Sequence, residues 1–235
     1  MVNIVPKVFP EEPENYSFIE DRTNYGDGEF VAPEDGWYQL DAISKSGNGA
    51  MATTSGSTSR CGSSGGSGAI ARKSKIKLNK GERIPFSINS DILINDATHD
   101  IRIKVIGATD GVGQYNPGRG GTATGGDVNI NGYSGSAGNT ESGAAAGPTG
   151  PSTPNDYGFT IKGGDGGGTY YFEGSSHPTP SGTYASNASL IRFYRGNTNL
   201  PLDQLNAQNI TGLMLEMSQL AQEQTSMLIN TDVSH

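Results

Sequence analysis

The sequence has little of the residues from which most catalytic and metal sites are built. Its 235 residues include one cysteine, Cys61, and three histidines, His99, His177 and His235. One cysteine cannot close an internal disulfide, so we expect Cys61 to be a buried or loop thiol in a protein made in a reducing cytosol. The histidines form no HExxH motif, and none stands beside Cys61 or a G-x-S-x-G elbow. We therefore expect no cofactor, no metal and no catalytic triad.

Long apolar runs and an excess of positive charge are also missing. No apolar run approaches the roughly 20 residues that span a bilayer, and the first 16 residues lack the basic start and apolar run of a signal peptide. We expect a soluble chain without a secretory signal. The net charge of −8 and the pI of about 4.8 create a field that repels phosphate groups. Nucleic acid and membrane are therefore not expected as partners.

The abundant glycines do not form a known nucleotide or calcium motif. No glycine precedes a lysine, which excludes a P-loop, and no helical pattern follows a glycine cluster, which excludes a dinucleotide fingerprint. The stretch GGDGGGTYY lacks the second aspartate of a calcium-binding repeat. Carboxylates could still be paired by folding for glycosidase work, although turn aspartates beside glycine are far more common. The candidates are Asp127, Asp156, Asp165 and Glu173.

Composition and pattern divide the chain into three parts. With 33% hydrophobic residues and one tryptophan, one compact domain with appendages is expected. Residues 1–24, rich in proline and glutamate, predict an extended arm. Residues 25–195 predict a glycine-rich β domain, with glycine-rich loops at 107–188, and residues 196–235 predict a helical segment.

Short alternating runs predict an all-β fold with a small antiparallel sandwich. Runs at about 25–106, completed by 189–195, alternate apolar and polar side chains with a period of two. One run places Lys73, Lys75 and Lys77 on a single side of a strand. This stripe could bind an anionic polymer, but the solvent face of a half-buried sheet is the better explanation.

Two stretches are rich in glycine and poor in large apolar residues. Residues 47–68 predict a long loop or a poorly ordered excursion. Residues 107–182 contain 22 of the 35 glycines, many at a three-residue spacing that is not sustained long enough for collagen. We hypothesise that such segments adopt an extended polyproline-II geometry and stack side by side beyond the sheet.

The order of these features resembles the glycine-rich domain of tailed-bacteriophage tail fibres and other virion appendages. The resemblance covers about 25–195. It is carried by FVAPEDGWYQLDAI, GSGAIARKSKIKLNKGERIPFSI, IRIKVIGATDG, GGTATGGDVNINGYSG, GAAAGP, GGDGGG and SLIRFYR. It implies a β-sandwich with long glycine loops, and a non-enzymatic virion protein at or near the receptor-binding end.

Two groups of residues are candidates for recognition and assembly. Aromatic rings offer apolar area to a sugar face, and the candidate ligand-binding residues are Tyr170, Tyr171, Phe172 and Tyr184. For Tyr171, a role as a local anchor of the glycine loops is the slightly better explanation. An apolar seam spaced three and four residues apart, interrupted only by Gln224, predicts an assembly helix. Its members are Ile210, Leu213, Met217, Leu220 and Met227. We expect a homo-oligomer, with a trimer favoured, although the helix could equally pack on its own sheet.

The sequence thus predicts a structural and adhesive virion protein that is assembled in the host bacterial cytoplasm. It would attach to other virion proteins through its N-terminal arm or C-terminal helix and present its loops to a bacterial surface polysaccharide. A head fibre, decoration or tail-hub accessory protein without a receptor role is the first alternative. A carbohydrate-processing enzyme is the second, and a bacterial surface module the third.

Overall fold

The computed structural model describes residues 9–55, 58–141, 146–172, 175–178 and 182–197. The chain divides into two units, Glu14–Asn197 and a unit made of Met1–Pro13 and Thr198–His235. All the strands of the described residues lie in Glu14–Asn197, and none of these residues is helical. The all-β prediction is therefore confirmed, while the assembly helix predicted at 210–227 lies outside the described residues.

The strands vary from two to nine residues. They are β1 (Tyr16–Arg22), β2 (Gly26–Val31), β3 (Gly36–Ile43), β4 (Thr53–Ser55), β5 (Thr58–Arg60), β6 (Ile70–Leu78), β7 (Arg83–Ile88), β8 (Ile92–Asp96), β9 (Ile101–Ile106), β10 (Thr122–Thr124), β11 (Val128–Ile130), β12 (Thr140–Glu141), β13 (Thr169–Phe172), β14 (Ser175–Pro178) and β15 (Leu190–Gly196).

Two antiparallel five-stranded sheets form the main body. Sheet A has the order β1-β15-β3-β6-β11, and sheet B has the order β10-β9-β8-β7-β2. In β7 and β9, for example, every second side chain is apolar and buried between the two sheets, because successive side chains of a strand point to opposite faces. Phe30 of sheet B stacks on Phe193 of sheet A with ring centroids 4.2 Å apart, and Tyr38 meets Phe30 edge-on. The core therefore lies between the sheets, as in a sandwich.

The strand assignments were largely right, but their partners were not all foreseen. Strands β2 and β3 follow one another closely, yet they belong to opposite sheets. The turn between them therefore connects sheet B to sheet A instead of closing a hairpin. Residues assigned to the extended arm form β1, which pairs along β15. Extended backbone was expected there, but its place in sheet A depends on a partner about 175 residues further along the chain.

A β-bulge in β6 divides the three lysines that the sequence placed on one side. Lys73 pairs with Leu40, and Lys77 pairs with Trp37, so the two lysines lie on opposite faces of sheet A. Lys75 lies in the bulge with a φ of 58°. The predicted stripe is therefore wrong, because an extra residue in a strand reverses the alternation beyond it. Lys73 instead binds the Asp127 carboxylate, with a nitrogen to oxygen distance of 3.0 Å.

Beyond the sheets, eight extended segments without helix or strand assignment pack against one another, and we call them the glycine block. They are s1 (44–50), s2 (61–69), s3 (107–113), s4 (117–121), s5 (131–139), s6 (146–153), s7 (161–168) and s8 (182–189). Residues 61–68 of s2 belong to the stretch 47–68, for which the sequence predicted a long loop or a poorly ordered excursion. They have no helix or strand assignment, as in a loop, but they are buried, and Ser63, Ser64 and Ser67 are fully buried. The loop alternative is therefore confirmed for this segment, and the poorly ordered alternative is wrong.

Backbone hydrogen bonds replace an apolar core in the glycine block. Successive N–H groups of s2 donate to three different neighbours, over distances of 2.8 to 3.2 Å. Cys61, Ser64 and Ser67 donate to s5, Gly62 and Gly65 donate to s7, and Ser63 and Gly66 donate to s3. Each neighbour is contacted at about every third residue, so the central segment donates hydrogen bonds in three directions.

Close approach of backbones explains why these positions are glycine. A Cβ atom at Gly65 would lie 2.0 Å from the carbonyl oxygen of Gly47, and one at Gly163 would lie 2.3 Å from that of Gly65. No real Cβ atom fits at such distances. Neither glycine has a positive φ, so absence of a side chain, rather than access to unusual backbone angles, is what the packing requires.

Candidate functional site

The direction of the eight segments produces one distinctive end of Glu14–Asn197. Segment s1 continues β3 away from the sheets, and s2 returns to β6, which is antiparallel to β3. Segments s3 and s5 likewise leave β9 and β11, while s4 and s8 return to β10 and β15. Segment s7 is parallel to s1, because Gly164 and Gly167 donate to Gly47 and Ala50. Four segments thus run outward and four inward.

Four chain connections consequently begin and end on the side farthest from the two sheets, and we call this end the tip. They join s1 to s2, s3 to s4, s5 to s6, and s7 to s8. The first and third contribute β4, β5 and β12, which form a three-stranded sheet, and the fourth contributes the β13–β14 hairpin. Strand β14 lies beside β4 and β5. The opposite end carries Asn15 and Asn197, whose backbones are hydrogen-bonded at 2.9 Å.

The structure places the predicted ligand-binding residues at or beside the tip. Tyr170, Tyr171 and Phe172 lie in β13 by their backbone. Tyr184 is 89% exposed in s8, where the neighbouring Thr183 accepts a hydrogen bond from Gly49. The positions of the β13 side chains lie outside what is described, so their predicted role stays a prediction. Tyr184 is the most exposed large hydrophobic residue of the described chain.

Further exposed apolar residues at the tip were not singled out from the sequence. Met51 is 59% exposed, Val112 63% and Tyr115 66%. Val112 and Asn116 close the short connection between s3 and s4 with a backbone bridge. No local sequence signal separates these residues from core residues, since their exposure follows from their position at a segment end.

The tip is also almost uncharged, in contrast to the whole chain. The described residues of the four connections, at 51–55, 58–60, 113–116, 140–141, 169–172 and 175–178, contain two charged residues, Arg60 and Glu141. Tyrosine, serine and threonine dominate the rest. This composition resembles that of antibody paratopes, in which tyrosine supplies contact area and serine and glycine supply adaptable hydrogen bonds.

The carboxylates considered for glycosidase work are held in different structural contacts. Asp165 of s7 accepts a hydrogen bond of 2.6 Å from the Gly150 N–H and forms an ion pair with Lys162, with a nitrogen to oxygen distance of 3.0 Å. Burial alone would raise the pKa of Asp165, but these two contacts lower it below the usual value. Asp127 bonds to Lys73 and to the Ser74 N–H. Both are satisfied as structural anchors, and Glu173 lies outside the described residues.

A polar cluster around Asp41 lies on the outer face of sheet A. The fully buried Asp41 carboxylate forms two hydrogen bonds of 2.6 Å with Arg72 and one of 2.8 Å from the Tyr194 hydroxyl. Burial raises the pKa of Tyr194 to about 12, and the negative charge of Asp41 adds to the effect. The Arg72 guanidinium also stacks under the Tyr157 ring, 3.6 Å from its centre.

This cluster fixes the link between s6 and s7 to the sheet. A hollow of about 340 Å³ opens beside Tyr157 and Tyr194. However, both oxygens of Asp41 are occupied by protein partners. The cluster around Asp41 therefore serves to hold the link between s6 and s7 against sheet A. The tip remains the better candidate for recognition.

Comparisons with known proteins add no identity to this geometry. No family model matches the chain, and no curated protein is significantly similar to it. Within the described residues, no helix has the length and apolar character needed to cross a membrane, and no cluster of three metal-ligating side chains is found.

Proposed function

We propose that this chain is a non-enzymatic subunit of a bacteriophage virion appendage, of the tail fibre or tail-tip type, whose tip binds the host surface. The observation that carries the proposal is the convergence of four connections that carry few charges, two of which contain tyrosine, at the end opposite Asn15 and Asn197. An end that carries the continuing chain suits attachment, and the opposite end suits contact with a target.

The glycine block has a role in this proposal as a rigid spacer. We propose that its segments have polyproline-II-like geometry, since neighbouring segments bond at about every third residue and polyproline II has three residues per turn. Such packing needs no large side chains, so connections at the tip can change in sequence without disturbing a core. That freedom is useful to a protein that must follow changes in a host surface.

The proposed ligand is a neutral or weakly charged glycan of the bacterial envelope. Tyr184 and Tyr115 present exposed rings, and aromatic rings stack on sugar faces. Attachment to other virion proteins would use the N-terminal arm or the segment at 210–227, which would also join copies of the chain as a trimer. Assembly would take place in the host cytoplasm.

Binding of the purified protein to susceptible and resistant cells tests the proposal. We expect selective binding to susceptible cells, and Tyr184→Ala and Tyr115→Ala each to weaken it at least roughly tenfold, as loss of a binding hot spot does. Tyr133→Ala is the matched control, because Tyr133 is 55% exposed but lies on s5 near the sheets, where its N–H binds Ser67. Equal binding to both cell types would refute the adhesive role.

An accessory virion protein without a receptor role is the second candidate. It is favoured by hollows beside the sheets that are lined by described residues outside the tip, such as those at His99, at Phe86 and at Tyr194. Labelled antibody on phage particles separates the two, since a receptor-binding subunit would be found at the tail end and a decoration protein on the head.

A further inference from the structure

The outer face of sheet B has an uneven distribution of charge. Strand β9 presents Arg102 and Lys104 to solvent, and β2, at the far edge of the same sheet, presents Asp27 and Glu29. Within the described part of the chain, neither Arg102 nor Lys104 has an ion-pair partner. One side of the face is therefore basic, and the other side carries two carboxylates, of which Glu29 is paired with Arg83 of β7.

The strand register places these charges in two matching rows. Lys104 lies level with Leu93 and Ser87, and Ser87 lies level with Asp27. Arg102 lies level with Asn95 on β8. Glu29 of β2 completes this second row. It pairs with Pro85, which lies two residues before Ser87 on β7. Each row thus begins with a cation on β9 and ends with a carboxylate on β2.

Exposed apolar side chains accompany the charges. Leu93 is 47% exposed on β8, the middle strand of the sheet, and Val31 and Ile106 are 41% and 38% exposed. Five strands spaced about 4.8 Å apart, four of them about 17 to 20 Å long and β10 about 10 Å long, give a face of at most about 24 by 20 Å. A patch of this size, with Leu93 on its middle strand and charges on the strands to either side, has the character of a small interface.

We propose that this face binds a second copy of the chain. A rotation about an axis parallel to the strands brings β9 of one copy against β2 of the other and keeps each row at its own level. Lys104 then meets the second copy's Asp27, and Arg102 meets its Glu29, with Leu93 near the axis. Glu29 already pairs with Arg83 of its own sheet and can accept a further cation.

The same axis leaves the tips of all copies at one end, because rotation about a line parallel to the strands does not reverse their direction. The association closes on itself, as most homo-oligomers do. It does not depend on what the tip binds, nor on the segment at 210–227. Since the face is small, the association is weak and its strength depends on charge.

Sedimentation of the full-length chain over a range of concentrations tests the interface. We expect an oligomer at 50 mM salt whose apparent Kd rises roughly tenfold or more at 500 mM salt, because exposed ion pairs are screened. A chain that stays monomeric at both salt concentrations overturns the proposal, and so does an oligomer whose affinity is independent of salt.

Charge reversal locates the contact. The double variant Arg102→Glu with Lys104→Glu is expected to lose the association, since acidic residues would then face acidic residues. Adding Asp27→Lys and Glu29→Lys to the same chain reverses both sides and is expected to restore it. All four side chains are exposed, so the variants keep the fold.

A matched control separates the face from net charge. Lys77→Glu with Arg119→Glu changes the net charge by the same amount at exposed positions outside sheet B, one on β6 of sheet A and one in s4, and it is expected to keep the association. If both double variants lose the association equally, or if the fourfold variant fails to recover it, the proposed interface is wrong.

Discussion

The two-sheet body and the glycine block are stabilised in opposite ways. Between the sheets, large side chains exclude water, and residues such as Phe30, Leu40 and Phe193 are almost fully buried. In the glycine block, the backbones themselves are in contact, and hydrogen bonds at about every third residue take the place of side-chain packing. Adding atoms therefore destabilises the block, whereas removing atoms destabilises the sheets.

This contrast explains the different tolerance of glycine in the two regions. Gly81, in the turn between β6 and β7, has open space around it and a φ of 86°, so it is needed for its backbone angle. Gly65, in s2, has an ordinary φ and a carbonyl oxygen in the space a Cβ would occupy. One residue type thus meets two unrelated requirements.

The largest effect is expected from Gly65→Ala. Because the new Cβ would lie 2.0 Å from a backbone oxygen, s1 and s2 must separate and lose their hydrogen bonds. We expect a loss of more than about 5 kcal/mol, or failure of the block to fold. Gly81→Ala, which meets no atom but adopts a left-handed angle, is expected to cost only about 1 to 2 kcal/mol. Chemical denaturation measures both, and equal losses would contradict the close-contact explanation.

A smaller loss is expected from Phe193→Ala in the two-sheet body. Phe193 is fully buried between Phe30 and Phe86, so its removal leaves a cavity and is expected to cost about 3 to 5 kcal/mol. Phe193→Leu keeps most of the volume and is expected to cost clearly less. Calorimetry compares them. If the alanine and leucine variants were equally stable, this core would not depend on packing.

Alkaline pH tests the polar cluster of sheet A. The pKa of Tyr194 is raised to about 12 from an ordinary value of 10.0, so the folded protein holds the phenol proton more tightly than the unfolded chain does. Its contribution is fully present below pH 10 and is lost as the pH rises from 10 through 12, by about 2 to 3 kcal/mol. Tyr194→Phe is expected to remove this part of the alkaline loss. An unchanged profile in that variant would exclude Tyr194 as its source.

The smallest effect on stability is expected at the tip. Tyr184 is 89% exposed, so Tyr184→Ala is expected to change the free energy of unfolding by less than about 0.5 kcal/mol. Thermal unfolding measures this change. A large loss of stability would mean that Tyr184 anchors the block and would remove it as a candidate for recognition.

The predicted strands follow from alternation, and the sites of disagreement have identifiable causes. Ile101–Ile106 and Leu190–Gly196 alternate clearly and form β9 and β15. The lysines of β6 were misassigned because the bulge depends on pairing with β3, which no local pattern reveals. Tyr115 and Met51 were missed at the tip, since exposure at a segment end follows from the path of the whole chain.

The sequence by itself determined the all-β class, because a period of two in apolar residues suits only a pleated strand with one buried face. It also determined where no large side chains are available, namely the glycine-rich stretches. Only the tertiary structure decided that residues 61–69 lie at the centre of a hydrogen-bonded block. Because glycine has no side chain, a glycine-rich sequence contains no pattern that identifies which segments will pack against it. Its backbone hydrogen bonds can be satisfied only by segments that folding brings within about 3 Å.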